Sequence, residues 1–309
     1  CRAPPARAKR GMTPLEWEVV GGRACRAAWP LTQPDFTIEC LLGAGTFGRV
    51  FRAKRACAWG GCADVAVKVI PRRSTMPSRE VSIMLELRDK PHPHLLALDE
   101  YFFHTAFGQL LLCMVTPLFE GSLNMWLDAH AHDVGAVGLA LTCRLVGNQL
   151  GSALAHMHLL DIIHRDVKPE NVLLTHARGG MHCVLADFGS AKRVASAAAS
   201  RSVPYVTTLN YRAPELFFGC TRYSGDPDVW ALGCVLAEVL LGGAPLFEDE
   251  ATLGDGTAGQ ICFMMRTLGV PTVDDFFAMN PELSEAQIYS WLGRVRPVEV
   301  RAGWRQRVV

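Results

Sequence analysis

No uninterrupted apolar stretch in this 309-residue chain reaches the roughly 20 residues a membrane-spanning helix needs. The nearest approach, Val229 to Leu241, is broken by Glu238 and reads as a buried helix. Excess charge is missing too. The 31 basic residues nearly cancel the 30 acidic ones, so no global field points to nucleic acid or to a membrane surface as partner. The 11 cysteines are scattered without the paired spacing of a metal site. Cys57 and Cys62 bracket a Trp-Gly-Gly turn between two expected strands, which reads as a reduced hairpin loop. Free thiols throughout suit an intracellular protein, cytoplasmic with the nucleus as a second setting. Acids are absent before Glu16, where Arg2, Arg7, Lys9 and Arg10 stand among alanine and proline. Such a composition cannot bury enough surface to order itself, so residues 1–34 are expected to be a disordered basic tail. Its prolines argue against a transit helix.

What is present is a chain half apolar, ample for a sizeable core. Apolar patterning places strands near 36–43, 48–55, 64–70, 97–104 and 109–116. Helices are expected near 77–88, 138–159 and 226–242. The last of these is apolar nearly all round and should be buried, with Asp228 capping its start. Chemistry-bearing residues gather in five short segments. These are Gly43-Ala44-Gly45-Thr46-Phe47-Gly48-Arg49-Val50, Val65-Ala66-Val67-Lys68, His164-Arg165-Asp166-Val167-Lys168-Pro169-Glu170-Asn171, Asp187-Phe188-Gly189 and Ala213-Pro214-Glu215. Glycines free of side chains let a hairpin backbone close over phosphates. Lys68 ends an apolar run, as expected of a residue near the end of a buried strand. Any one of the carboxylates alone reads as a solvated surface acid. The set, in this order, does not.

Together the five segments resemble the signature set of eukaryotic protein kinases. The resemblance implies an α+β bilobal fold, with a β-rich small lobe at 35–116 and a mainly helical large lobe at 117–309. It implies ATP and Mg2+ as cofactors and protein substrates as partners, with room for a scaffold protein on the large lobe. By the same resemblance Lys68 holds the α- and β-phosphates and pairs with Glu80, whose helix carries Ile83, Met84 and Leu87. Asp166 accepts the substrate hydroxyl proton, Lys168 lies near the transferred phosphoryl group, and Asn171 and Asp187 hold magnesium. Asp228 braces the catalytic-loop backbone. The adenine pocket is expected from Leu42, Val50, Ala66 and Leu173, with the glycine segment 43–48 above the phosphates. Val115 is placed as gatekeeper of a hinge running through Thr116, Pro117 and Leu118, with the Leu118 N–H as donor. Pro117 has no N–H to give.

Within that family, Tyr211-Arg212-Ala213-Pro214-Glu215 is similar to the group of cyclin-dependent, mitogen-activated and glycogen synthase kinases. Asp187-Phe-Gly-Ser-Ala-Lys192, Gly233-Cys-Val-Leu-Ala-Glu238, Leu268-Gly-Val-Pro-Thr272 and Met279-Asn-Pro281 most resemble glycogen synthase kinase-3. The resemblance implies that Arg79, Arg165 and Lys192 converge on one phosphate. Val203 stands where cyclin-dependent relatives carry a phosphorylated threonine, which favours a phosphate brought by a primed substrate. Ser202, one residue away, keeps an own-loop phosphate open. Tyr205 occupies the activation-segment tyrosine position, where the resemblance implies a phosphosite. After Pro281 the chain runs to Val309 in an arginine-rich segment unlike the helices with which the family continues, so the large lobe is expected to lack them. Two alternatives therefore stay open: a cyclin-dependent-like enzyme without priming, and a nucleotide-binding scaffold or inactive fragment.

Overall fold

A computed structural model describes residues 18–20, 23–25, 36–45, 48–57, 61–106, 108–177, 180–194, 208–248 and 256–294. The chain divides into two compact units, Cys1–Met76 with Leu98–Leu118, and Pro77–Ala97 with Phe119–Val309.

The first unit is built on a five-stranded antiparallel sheet. Its strands are β3 (Phe36–Gly45), β4 (Gly48–Ala56), β5 (Cys62–Arg72), β6 (Glu100–Ala106) and β7 (Gln109–Pro117), in the order β3-β4-β5-β7-β6. Alternation decides which side of the sheet is buried. Phe51, Val67 and Val115 are cross-strand neighbours on one face, joined by Val65, Val69 and Cys113 in an apolar cluster. Arg52, Ala66 and Thr116 form a row on the opposite face, beside the row Val50, Lys68 and Met114. Ahead of the sheet, β1 (Glu18–Val20) and β2 (Arg23–Cys25) pair antiparallel. The disorder expected over residues 1–34 therefore fails for these six. Two adjacent β-branched valines followed by the Gly21-Gly22 turn signal outweigh the polar composition around them. The rest of that tract lies outside the described residues.

The second unit is mainly helical. It comprises α1 (Arg79–Asp89), β8 (Gly121–Ser122), α2 (Leu123–Leu159), β9 (Ile162–Ile163), β10 (Val172–Ala177), β11 (Gly180–Leu185) and β12 (Lys192–Arg193). It continues through α3 (Pro214–Phe217), α4 (Asp226–Leu240), α5 (Gly256–Leu268), α6 (Val273–Met279) and α7 (Glu285–Arg294). Helix α1, expected with the small lobe, belongs to this unit. It packs on the turn Phe188–Ser190, and the loop after it is tied to β11 by Leu96 N–H donating to Leu185 O at 3.0 Å. Helix α2 begins 15 residues earlier than expected and is broken at Gly135, whose φ of 64° suits glycine. Helix α4 is buried through Ala231, Cys234, Val235 and Val239. It starts at Asp226 with Gly225 as its cap, so Asp228 is not the capping residue. Both of its carboxylate oxygens are engaged elsewhere, as described next.

Candidate active site

Asp228 is 1% exposed and holds the loop that carries Asp166. Its Oδ2 accepts the His164 backbone N–H at 2.8 Å and the His158 Nε2–H at 2.9 Å, while Oδ1 accepts the Arg165 N–H at 2.7 Å. Arg165 is thereby kept at φ 66°, a left-handed conformation disfavoured for a side chain of its size. The His164 ring donates from Nε2 to Ala186 O at 3.0 Å and accepts the Asp166 N–H on Nδ1 at 3.3 Å. One imidazole thus links the loop to the segment entering Asp187.

Asp166 is oriented from three sides. Oδ2 accepts from Lys168 Nζ at 2.9 Å and from Asn171 Nδ2 at 3.0 Å. Oδ1 accepts from the Thr208 hydroxyl at 3.1 Å, and Lys168 Nζ also reaches Thr208 Oγ1 at 3.2 Å. The sequence does not mark Thr208 for this site, because a threonine 42 residues from its partner carries no local signal. Asn171 also donates to Asp166 O at 2.7 Å, so its amide nitrogen faces the aspartate and its Oδ1 is the atom left to meet a cation. Asp187 sits at φ 61° and accepts the Gly189 N–H at 3.3 Å. Phe188 is fully buried, its ring edge-on to His164 at 5.5 Å.

The expected phosphate-binding residues also share this unit. Ser78 caps α1 by accepting the Val81 N–H at 3.2 Å, which sets Arg79 and buried Glu80 in the first turn. Arg165 donates from Nε to Ser190 O at 2.7 Å, and Lys192 pairs with Ile163 across β12 and β9. Burial lowers the Lys192 ammonium pKa, and the neighbouring positive charges of Arg165 and then Arg79 lower it further. Arg165 and Arg79 are therefore both close enough to bear on the Lys192 charge. In the same unit, Tyr211 donates to Glu238 Oε2 at 2.7 Å. Burial pushes the Glu238 carboxyl up to about 7 and, with Glu238 nearby, raises the Tyr211 phenol.

In the first unit, the glycine strand and Lys68 lie on β3, β4 and β5 as expected. Gly45 pairs with Gly48, while Thr46 and Phe47 lie outside the described residues. Gly48 is required by close approach, since an added Cβ would come within 2.5 Å of Val69 O. At Gly43 and Gly45 a Cβ would meet nothing within 4 Å, leaving open space beside the strand. Leu42 is half exposed, and Val50 and Ala66 are partly so, which leaves an apolar wall for a ring to cover. Leu173 is half-buried on β10 in the second unit. Leu118 is half-buried just past the end of β7.

Val115 does not take the gatekeeper role expected of it. It pairs with Val67 and is fully buried in the apolar cluster, on the face away from Ala66 and Lys68. Thr116, directly across from Ala66, is the residue on the pocket face at that end of the strand. The run Leu110–Val115 is apolar at every position, so periodicity could not reveal its facing. Ser202, Val203 and Tyr205 lie outside the described residues.

Asn171 and Asp187, both in the second unit, fit a magnesium ion. Among the described residues no three His, Cys, Asp or Glu side chains form a protein-only metal cage. Mg2+ is commonly held by one or two protein oxygens with phosphates and water completing the shell, which matches Asn171 and Asp187. A cavity of about 640 Å³ elsewhere in the second unit, lined by Glu215, Phe218, Trp230 and Met265 among others, contains none of these residues.

Comparison with known proteins accords with this geometry. Residues 36–288 match the family model described as protein kinase domain. The chain is 34% identical over 256 residues to glycogen synthase kinase 3 of Trypanosoma brucei brucei, covering 81% of this chain and 69% of that protein. It is 34% identical over 247 residues to protein kinase gsk31 of Schizosaccharomyces pombe, covering 78% of this chain and 59% of that protein. Against the probable serine/threonine-protein kinase glkA of Dictyostelium discoideum, 34% identity extends over 240 residues, 78% of this chain and 46% of that protein.

Proposed function

The chain belongs to the protein kinase family, in its glycogen synthase kinase-3-like serine/threonine branch, and we propose that it phosphorylates protein substrates already carrying a phosphate four residues C-terminal to the target. The observation that carries this reading is the placing of Arg79 in the first turn of α1, Arg165 against Ser190 O and Lys192 on β12 beside β9, where burial first, and then the Arg165 and Arg79 charges, lower the Lys192 pKa. A phosphate dianion placed among them offsets those charges, and guanidinium forks match its oxygens. Val203, where the related branch carries its own phosphothreonine, cannot supply that phosphate.

When bound, magnesium ATP supplies the electrophilic phosphorus and neutralises the oxygens around it. The chain's own residues do the positioning. Asp166, held by Lys168, Asn171 and Thr208, receives the proton of the substrate hydroxyl on its carboxylate. Lys168 keeps a positive charge beside that oxygen. Asn171 Oδ1 and the Asp187 carboxylate would hold the cation, and Lys68 on β5 would contribute a positive charge toward the phosphates. Thr116, across from Ala66, would line the side of the sheet that receives the adenine.

The test is a pair of peptides identical except for phosphoserine four residues beyond the target serine. The primed peptide should be strongly preferred. Each charge-assisted contact is worth roughly 1.5–3 kcal/mol, so Arg79→Ala should reduce the preference about tenfold or more. Basal activity on the unprimed peptide should persist. Equal wild-type rates on the two peptides would reject priming. Equal loss on both in Arg79→Ala would assign the cluster to an own-loop phosphate at Ser202.

A further inference from the structure

Four histidines that the catalytic account leaves unused meet where the loop after α1 crosses α2 and β11. The His92 and His156 rings stack at 5.1 Å, His92 meets His94 edge-on at 5.7 Å, and His94 lies 4.9 Å from His182. Their hydrogen bonds determine where the protons are. His92 Nδ1 accepts the His94 backbone N–H at 3.2 Å, so that nitrogen is bare. Its proton is on Nε2, which donates to Ser152 Oγ of α2 at 2.8 Å. His156 Nε2–H donates to Lys90 O at 2.8 Å, and His94 Nδ1–H donates to Cys183 O of β11 at 2.9 Å.

The clasp leads to the active site through main chain. Leu185 N–H donates to His94 O at 2.9 Å and Leu96 N–H to Leu185 O at 3.0 Å, so the loop and the end of β11 are one hydrogen-bonded unit. Two residues beyond Leu185 is Asp187. From α2, Gln149 grips the same strand, accepting the Cys183 N–H at 2.6 Å and donating to Met181 O at 3.1 Å.

We propose that His92, His94, His156 and His182 form an acid-sensitive clasp that positions the strand leading into Asp187, and that protonation of His92 opens it. A second proton on His92 has only Nδ1 to occupy, and there it must displace the His94 amide. The ionisable groups bearing on that charge are other imidazoles: His156 from α2 and His94 from the loop, with His182 of β11 behind His94. Burial, then His156, then His94 lower the His92 pKa below its ordinary 6.5, and no carboxylate contributes to offset them. The clasped state therefore binds fewer protons than the open one. Its stability is complete above the open-state value near 6.5 and falls as pH drops below it.

The experiment is hydrogen exchange on the full chain at pH 7.5 and 5.5, corrected for intrinsic rates, read at the amides of His94, Leu96 and Leu185. One pH unit below 6.5 the open state gains up to about tenfold by proton binding, so protection should fall between about threefold and tenfold. His92→Asn keeps an acceptor for the His94 N–H and cannot be protonated, so its protection should not change with pH. Unchanged wild-type protection, or the same acid loss in His92→Asn, would overturn the proposal. If that variant does not fold, His156→Gln serves, since it retains a donor for Lys90 O and removes one flanking charge. The acid loss should then be smaller, and an unaltered loss counts against the clasp. A kinetic readout, which rests on the kinase reading, follows independently: KM for ATP should rise on acidification more than kcat falls, and the rise should vanish in His92→Asn. Exchange behaving as expected while KM stays constant would refute the link to Asp187.

Discussion

Asp228→Asn removes the charge on which the catalytic loop hangs. The wild-type carboxylate accepts three N–H groups at 2.7–2.9 Å in a site only 1% exposed. Asparagine offers one oxygen and one NH2 group. In its better orientation the oxygen keeps His164 and His158, and the NH2 faces the Arg165 amide, donor against donor. One bond to a charged group is then lost, worth about 1.5–3 kcal/mol, and the Arg165 amide remains buried without an acceptor. The expected destabilisation is about 2–4 kcal/mol, or a melting temperature lower by roughly 5–15 °C for a domain of this size. Activity should fall further than stability alone explains. Arg165 at φ 66° stores about 1–3 kcal/mol of backbone strain, and once released it relaxes and carries Asp166 with it. Calorimetry with steady-state kinetics checks both effects, kcat falling more than KM rises. A melting temperature within about 1 °C of wild type and an unchanged kcat would refute the bracing role.

Three further outcomes are expected. Glu238, pushed up to about 7 in the folded protein from an ordinary 4.5, binds more protons folded than unfolded. Its contribution to stability is full below 4.5 and is lost as pH rises through 7, so melting curves from pH 5 to 8 should flatten in Glu238→Gln. Thr116→Phe should raise KM for ATP at least tenfold, whereas Val115→Ala should leave KM unmoved and destabilise the fold by about 2 kcal/mol, as measured by urea denaturation. Phe51→Ala, emptying a fully buried site in the same cluster, should cost about 3–5 kcal/mol by the same measurement.

Asp166, Lys168 and Asn171 lie within six residues of one another, so one short segment names all three, and the structure brings them within hydrogen-bond distance. The strands of the first unit were readable from apolar runs, within a few residues at each end. What could not be read was pairing across distance. Thr208 and Asp166, Tyr211 and Glu238, and His92 and Ser152 are each brought together by folding alone. Facing was hidden wherever apolar residues run without interruption, which is why Val115 was expected on the face that Met114 and Thr116 occupy. Asp228 was expected both to cap α4 and to brace the loop; its two oxygens hold the loop, and the helix starts two residues earlier. The helical stretch after Ser122 was missed because its histidines and aspartates interrupt the apolar period, and only its packing supports it.

The central claim is that Asp166 is the residue through which this chain transfers phosphate to serine or threonine. Its most direct test is magnesium-dependent transfer of labelled γ-phosphate to a serine peptide, comparing wild type with Asp166→Asn at saturating ATP. The account predicts label on serine from the wild type, a rate lower by orders of magnitude in Asp166→Asn, and little difference in ATP affinity between the two. Equal rates in the two proteins, or no magnesium-dependent transfer by the wild type, would contradict it.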